Sequence, residues 1–129
     1  MDYRPMGRIT GTVDAFTRAY LECAEWCGLS EEDREALELA VSPKWDEASV
    51  REASDLCARF QADERIALES SGLSDERAGH DLWLTQNRHG AGFWDEGIGG
   101  FGEHLTKAAH LGGERYATFD PDNERLYLA

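Results

Sequence analysis

The stretch His80-Asp81-Leu82-Trp83-Leu84-Thr85-Gln86-Asn87-Arg88-His89-Gly90-Ala91-Gly92-Phe93-Trp94-Asp95 decides the reading of the fold, because the helical period of the residues before it stops there. Residues 82–86 and 92–95 are short apolar runs rich in aromatics, and Asn87-Arg88-His89-Gly90 between them carries turn residues, so the pattern predicts a β-hairpin. In that hairpin Trp83, Phe93 and Trp94 form cross-strand aromatic pairs. Asn87, His89 and Gly90 supply left-handed turn geometry.

Upstream the spacing is helical. Val13, Phe16, Tyr20, Cys23 and Cys27 recur every three or four residues, and Gly28 follows as a stop, which predicts a helix over 14–27. Ser30 offers an N-cap with Glu31, Glu32 and Asp33 in the first turn, so a shorter helix starts there and ends before Pro43. A long helix is predicted from the Asp46 cap to Ser70, on the stripe Val50, Ala53, Cys57, Phe60 and Ala67, with Gly72 as its end. Downstream, Phe101, Leu105, Ala108, Ala109 and Leu111 make an amphipathic helix closed by Gly112-Gly113. Residues 116–119 and 126–128 flank Asp120-Pro121-Asp122-Asn123, a turn in which proline fixes φ and the Asx side chains bond their own backbone. The expected architecture is α+β, with N-terminal helices over about 12–72 packed on a ββαββ unit over about 80–129 that forms a small antiparallel sheet. The length of 129 residues suits one domain over 1–129.

The chain carries 26 Asp and Glu against 13 Lys and Arg, a formal charge of −13 on a body that is 41% hydrophobic. That is too much burial capacity for a disordered acidic tail. Phosphate backbones and anionic lipid repel such a protein, so neither direct nucleic-acid binding nor membrane association is expected. No run of about 18 apolar residues and no leader pattern is present, which predicts a cytoplasmic protein. Cys23, Cys27 and Cys57 match no metal spacing and read as buried small hydrophobes.

The quoted stretch resembles a signature of the form GHDFWLTRNGHGAGFWD, found in a family of small proteins of bacteriophages and mobile elements. The similarity continues through Leu105-Thr106-Lys107-Ala108-Ala109 to Leu126-Tyr127, and more loosely through the helical half. Leu82, Gln86 and Arg88 stand where the family has Phe, Arg and Gly. The resemblance implies a phage-encoded accessory protein acting in the bacterial cytosol; it carries no mechanism.

Charge gives the functional expectation. Between Glu22 and Glu76 there are 16 acidic residues against Arg34, Lys44, Arg51, Arg59 and Arg65. Carboxylates at Glu31, Glu32, Asp33, Glu35, Glu38, Asp46, Glu47, Glu52 and Asp55 would build a negative helical surface that steers a basic partner into contact. Host restriction and CRISPR complexes have positive nucleic-acid channels, and rows of carboxylates imitate the roughly one charge per 1.7 Å of duplex axis. The expectation is an inhibitor that binds a basic host protein or nucleoprotein complex, with DNA mimicry as one form of that contact; a homodimer is compatible with the sequence. A second binding reading places the contact on the aromatic hairpin, with Trp83, Arg88, His89 and Trp94 as anchors. The enzymatic alternative is a site at His80, His89 and Asp95, since histidine with carboxylate is a common acid–base pair. No complete catalytic motif accompanies it. His104 and His110 lie six apart, off one helical face, and residues 97–102 lack the order of a phosphate loop, so neither a metal nor a cofactor is expected.

Overall fold

A computed structural model describes residues 4–129. Its elements run α1 (Ala15–Gly28), α2 (Glu31–Leu39), β1 (Lys44–Trp45), α3 (Glu47–Asp63), α4 (Arg65–Ser71), α5 (Asp75–Gln86), a 3-10 turn (Phe93–Asp95), α6 (Gly100–Leu111), β2 (Ala117–Asp120) and β3 (Arg125–Leu128). Among the described residues the class is α+β, with six helices and a small sheet.

The helix starts follow local chemistry. Asp14, Ser30, Asp46 and Ser74 each accept a hydrogen bond from the backbone N–H three residues on, at 2.8–3.1 Å, which satisfies a donor that the first turn leaves unpaired. Helices α1 and α2 and the helix at α6 stand close to where the spacing predicts them. The predicted long helix is broken: at Glu64 the backbone leaves helical geometry (φ −111°, ψ 21°), and α4 sets off separately to pack on α6.

The first expected hairpin is not a hairpin. Residues 82–86 are the C-terminal half of α5, which starts at the Ser74 cap with Asp75 and Glu76 in its first turn. Every residue from Asp81 to Asn87 is buried, so no side alternates with solvent and the apolar run carries neither a strand nor a helix period. Gly79 lets α5 lie directly on α1: a Cβ there would sit 2.1 Å from the Phe16 carbonyl oxygen. The helix ends where the sequence has turn residues, but the left-handed position is Arg88 (φ 54°), with the His89 N–H donating to Leu84 O. Phe93 then docks through its N–H on Thr85 Oγ1 at 3.1 Å.

The second expected hairpin is present. β2 and β3 pair antiparallel, with Phe119 opposite Leu126. β1 adds to the other edge of β3 in parallel, giving the order β1-β3-β2. The sheet is therefore three-stranded and mixed, and the four-stranded antiparallel ββαββ unit is not formed among the described residues. Two residues make β1, too few for any period to announce it, and its strand pairing is continued only by the single bridge between Arg8 and Lys44.

One cluster of buried side chains joins helices to sheet: Phe16, Tyr20 and Leu21 from α1, Trp45 from β1, Leu82 and Trp83 from α5, Phe93, Leu105 from α6 and Leu126 from β3. Cys23 and Cys57 are buried in it and Cys27 is half-buried, all as free thiols. No helix among the described residues is long and apolar enough to cross a membrane.

Candidate functional site

The acidic residues divide into those the fold uses and those it leaves exposed. Asp33 Oδ2 accepts the Phe119 N–H at 3.1 Å and so ties α2 to β2, while Asp46 caps α3. Glu31, Glu32, Glu35 and Glu38 on α2, and Glu47, Glu52 and Asp55 on α3, stand exposed. The ion pairs among the described residues are Arg77–Glu96, His104–Glu64 and Lys107–Glu103, none of which uses a carboxylate of α2 or α3. Glu31, Glu35 and Glu38 are spaced to share one face of α2. Along α3, Glu52, Asp55 and Asp63 line a cleft of about 520 Å³ against α6, with Phe60 and Gln86 also on its wall and the cations Arg59 and Arg115 beside them.

Of the residues expected to anchor a partner on the aromatic hairpin, one is buried and three are exposed. Trp83 is fully buried and its indole N–H donates to Arg115 O at 3.0 Å, so it is a core residue and not an anchor. Trp94 is 43% exposed, and Arg88 and His89 are exposed at the end of α5. In the enzymatic trio His89 is parted from His80, while Asp95 stands near Asp81, the neighbour of His80. His89 tilts against the Trp83 ring at 5.1 Å, whereas His80 packs on Trp26 at 5.9 Å in the wall of a cavity between α1 and α5.

That cavity contains a group the sequence reading did not isolate. Asp81, on α5, is 4% exposed, and no donor reaches its Oδ2. Its neighbour is the Glu96 carboxylate, which accepts the Arg77 Nε–H at 2.6 Å. Burial first, then the hydrogen bond to Glu96 and its charge, push the Asp81 carboxyl up to about 8, and Asp95 adds to the same effect. Glu96 moves the opposite way, chiefly through the hydrogen bond from Asp81 and then through Arg77. The pair holds one proton, on Asp81 at neutral pH, because two carboxylates in contact cannot both ionise. Burial, then Arg77, lowers His80 and keeps its ring neutral there. Asp81 and Glu96 are fifteen positions apart and meet only because the 3-10 turn folds back on α5; the one local trace of this is a carboxyl within the buried run of α5.

No group of three or more histidine, cysteine or carboxylate side chains among the described residues is placed to hold a metal ion. No family model, curated protein or solved structure matches the chain.

Proposed function

We propose that this is an accessory binding protein that uses the carboxylates of α2 and α3 to dock on the basic surface of a host nucleic-acid-processing or defence complex, and so blocks it. The observation that carries this reading is that every ion pair among the described residues leaves the α2 and α3 carboxylates unused. Internal pairing would neutralise such a surface; here its field extends into solvent and raises the rate of encounter with a positive partner, most strongly at low salt. The cleft beside α3 adds a concave place, walled by Glu52, Asp55 and Asp63, for a protruding basic side chain.

The test is affinity capture from bacterial host lysate at low and high salt, with the wild type beside the triple variant Glu31→Lys, Glu35→Lys, Glu38→Lys, followed by an activity assay of the captured enzyme. The expected result is a basic nucleic-acid enzyme that salt releases, that the variant fails to capture and whose activity the wild type suppresses. Capture that neither salt nor charge reversal changes would refute the acidic-face reading and move the contact to Trp94, Arg88 and His89.

A further inference from the structure

We propose that the cleft between α3 and α6 is a docking groove for an extended basic peptide segment, whose main-chain carbonyl oxygens accept from the Gln86 amide while its lysine or arginine side chains lie against the carboxylates of α3. The inference rests on the docking reading above and names the part of the partner that enters the protein.

The observation that leads to it is a buried amide satisfied on one side only. Gln86 is 3% exposed, at the end of the buried run of α5. Its Oε1 accepts the Tyr20 hydroxyl at 2.6 Å, yet no acceptor among the described residues reaches its Nε2. The sealed side-chain atoms without a partner are Asp81 Oδ2 and Arg115 Nε; Gln86 Nε2 is not one of them, so it opens on the cleft that Gln86 lines. An amide donor turned away from bulk water gains most from an acceptor that a guest brings. Gly112 keeps that donor uncovered. Its φ of −76° suits any residue, so what the glycine supplies is space: a Cβ there would stand 2.7 Å from Gln86 Nε2.

Shape and charge select the guest. The cleft holds about 520 Å³, within the roughly 300–1,000 Å³ of ligand sites, and Leu56, Phe60 and Ala109 give it an apolar lining. From Glu52 to Asp63 the α3 wall runs about 17 Å at helical rise, the length of roughly five extended residues. Glu52, Asp55, Asp63 and Glu64 outnumber Arg59 and Arg115 in the lining, and of these six only Glu64 is ion-paired among the described residues, with His104 of α6. A phosphate chain has acceptors for Gln86 but is repelled by the carboxylates. A polyamine has the matching charge but no acceptor. A peptide with lysine or arginine side chains supplies both, and the exposed Arg59 guanidinium has donors for a further carbonyl.

Calorimetric titration of the full chain at low salt with an acetylated, amidated pentapeptide of alternating arginine and leucine tests the groove. The controls are the same peptide with glutamate in place of arginine, and spermidine, a cation without carbonyl groups. The expected outcome is saturable one-to-one binding of the arginine peptide, about tenfold tighter than spermidine, and no binding of the glutamate peptide. Glu52→Gln, Asp55→Asn and Asp63→Asn together, all at exposed positions, weaken the arginine peptide about tenfold. Gly112→Ala, which crowds the amide but leaves its Tyr20 bond, weakens it about fivefold. Should Gly112→Ala fail to fold, the carboxylate variant and the spermidine comparison carry the decision. The proposal is overturned by an absence of saturation with the arginine peptide up to about 5 mM, by spermidine or the glutamate peptide binding as tightly, or by a folded Gly112→Ala variant that binds like the wild type. Peptide binding without capture of a basic enzyme from lysate would keep the groove and remove the docking reading; capture without peptide binding would do the reverse.

Discussion

At Gly79 a single hydrogen atom decides whether α5 can lie on α1. In an exposed helix, replacing glycine by alanine gains up to about 1 kcal/mol. Here the added methyl carbon meets the rigid backbone of Phe16 at 2.1 Å, so Gly79→Ala is expected to lower stability by about 2 kcal/mol or more. Gly100, with nothing within 4 Å of its would-be Cβ, is the control, and Gly100→Ala should leave stability unchanged or slightly higher. Urea denaturation of both variants measures the contrast. The shared proton at Asp81 makes a second residue-level prediction. A carboxyl with an ordinary value of 3.8 that rises to about 8 on folding binds its proton more tightly in the native state. Its contribution is fully present below about pH 4 and is lost as pH climbs to about 8. Glu96 acts in the opposite sense, its depressed value favouring the fold above the usual carboxylate range. Between pH 6 and 8 the Asp81 effect adds a falling slope to stability against pH, opposed by the rising contributions of His80, lowered from 6.5, and Cys27, lowered to about 7. Asp81→Asn, which keeps a donor toward Glu96 at every pH, should flatten that slope in denaturation curves taken at half-unit steps.

Among the elements, the segment before α1 is held by a buried acid. Glu25 is fully buried, and its two carboxylate oxygens accept the Met6 and Gly7 N–H groups at 2.9 and 2.8 Å. Glu25→Ala removes both acceptors and should cost about 2–3 kcal/mol. The Met6 and Gly7 amides should then exchange with solvent far faster than in the wild type, which amide-resolved hydrogen exchange would show. The elements also show what the residues disclosed in advance. Helix α1 was legible from its one apolar face and the Gly28 stop, and α2 from the Ser30 cap with acids in its first turn. The β2–β3 hairpin was legible because Pro121 and its Asx neighbours dictate a turn. Helix α5 was not, since burial on all sides erases the period that separates helix from strand; the Ser74-Asp75-Glu76 start was its remaining signal. The exposed acids could be counted from the sequence. Asp46 was recognisable as the α3 cap, but Asp33 could not be separated from its neighbours, because the Phe119 N–H that engages it is 86 positions away. The Asp81–Glu96 contact was illegible for the same reason: it depends on how α5 and the turn after it pack.

For the molecule as a whole, a formal charge of −13 with three ion pairs among the described residues implies self-repulsion that dissolved salt relieves. The thermal midpoint should rise by a few degrees between low and physiological ionic strength, and Glu31→Gln, Glu35→Gln and Glu38→Gln together should reduce that dependence; differential scanning calorimetry across a salt series checks both. The sheet order has a consequence in time. β3 is the middle strand, yet in chain order it follows every other described element, and its Arg125 pairs with Lys44 of β1. Translation at about 5–20 residues per second separates those partners by roughly 4 to 16 seconds. During synthesis the residues of all six described helices are made before either edge strand has anything to pair with, and Trp45, 1% exposed in the finished protein, lacks its β3 partner Leu126 until then. A nascent chain held on the ribosome before β3 is made would thus have no middle strand to join β1 to β2, leaving unpaired strand edges of the kind chaperones bind.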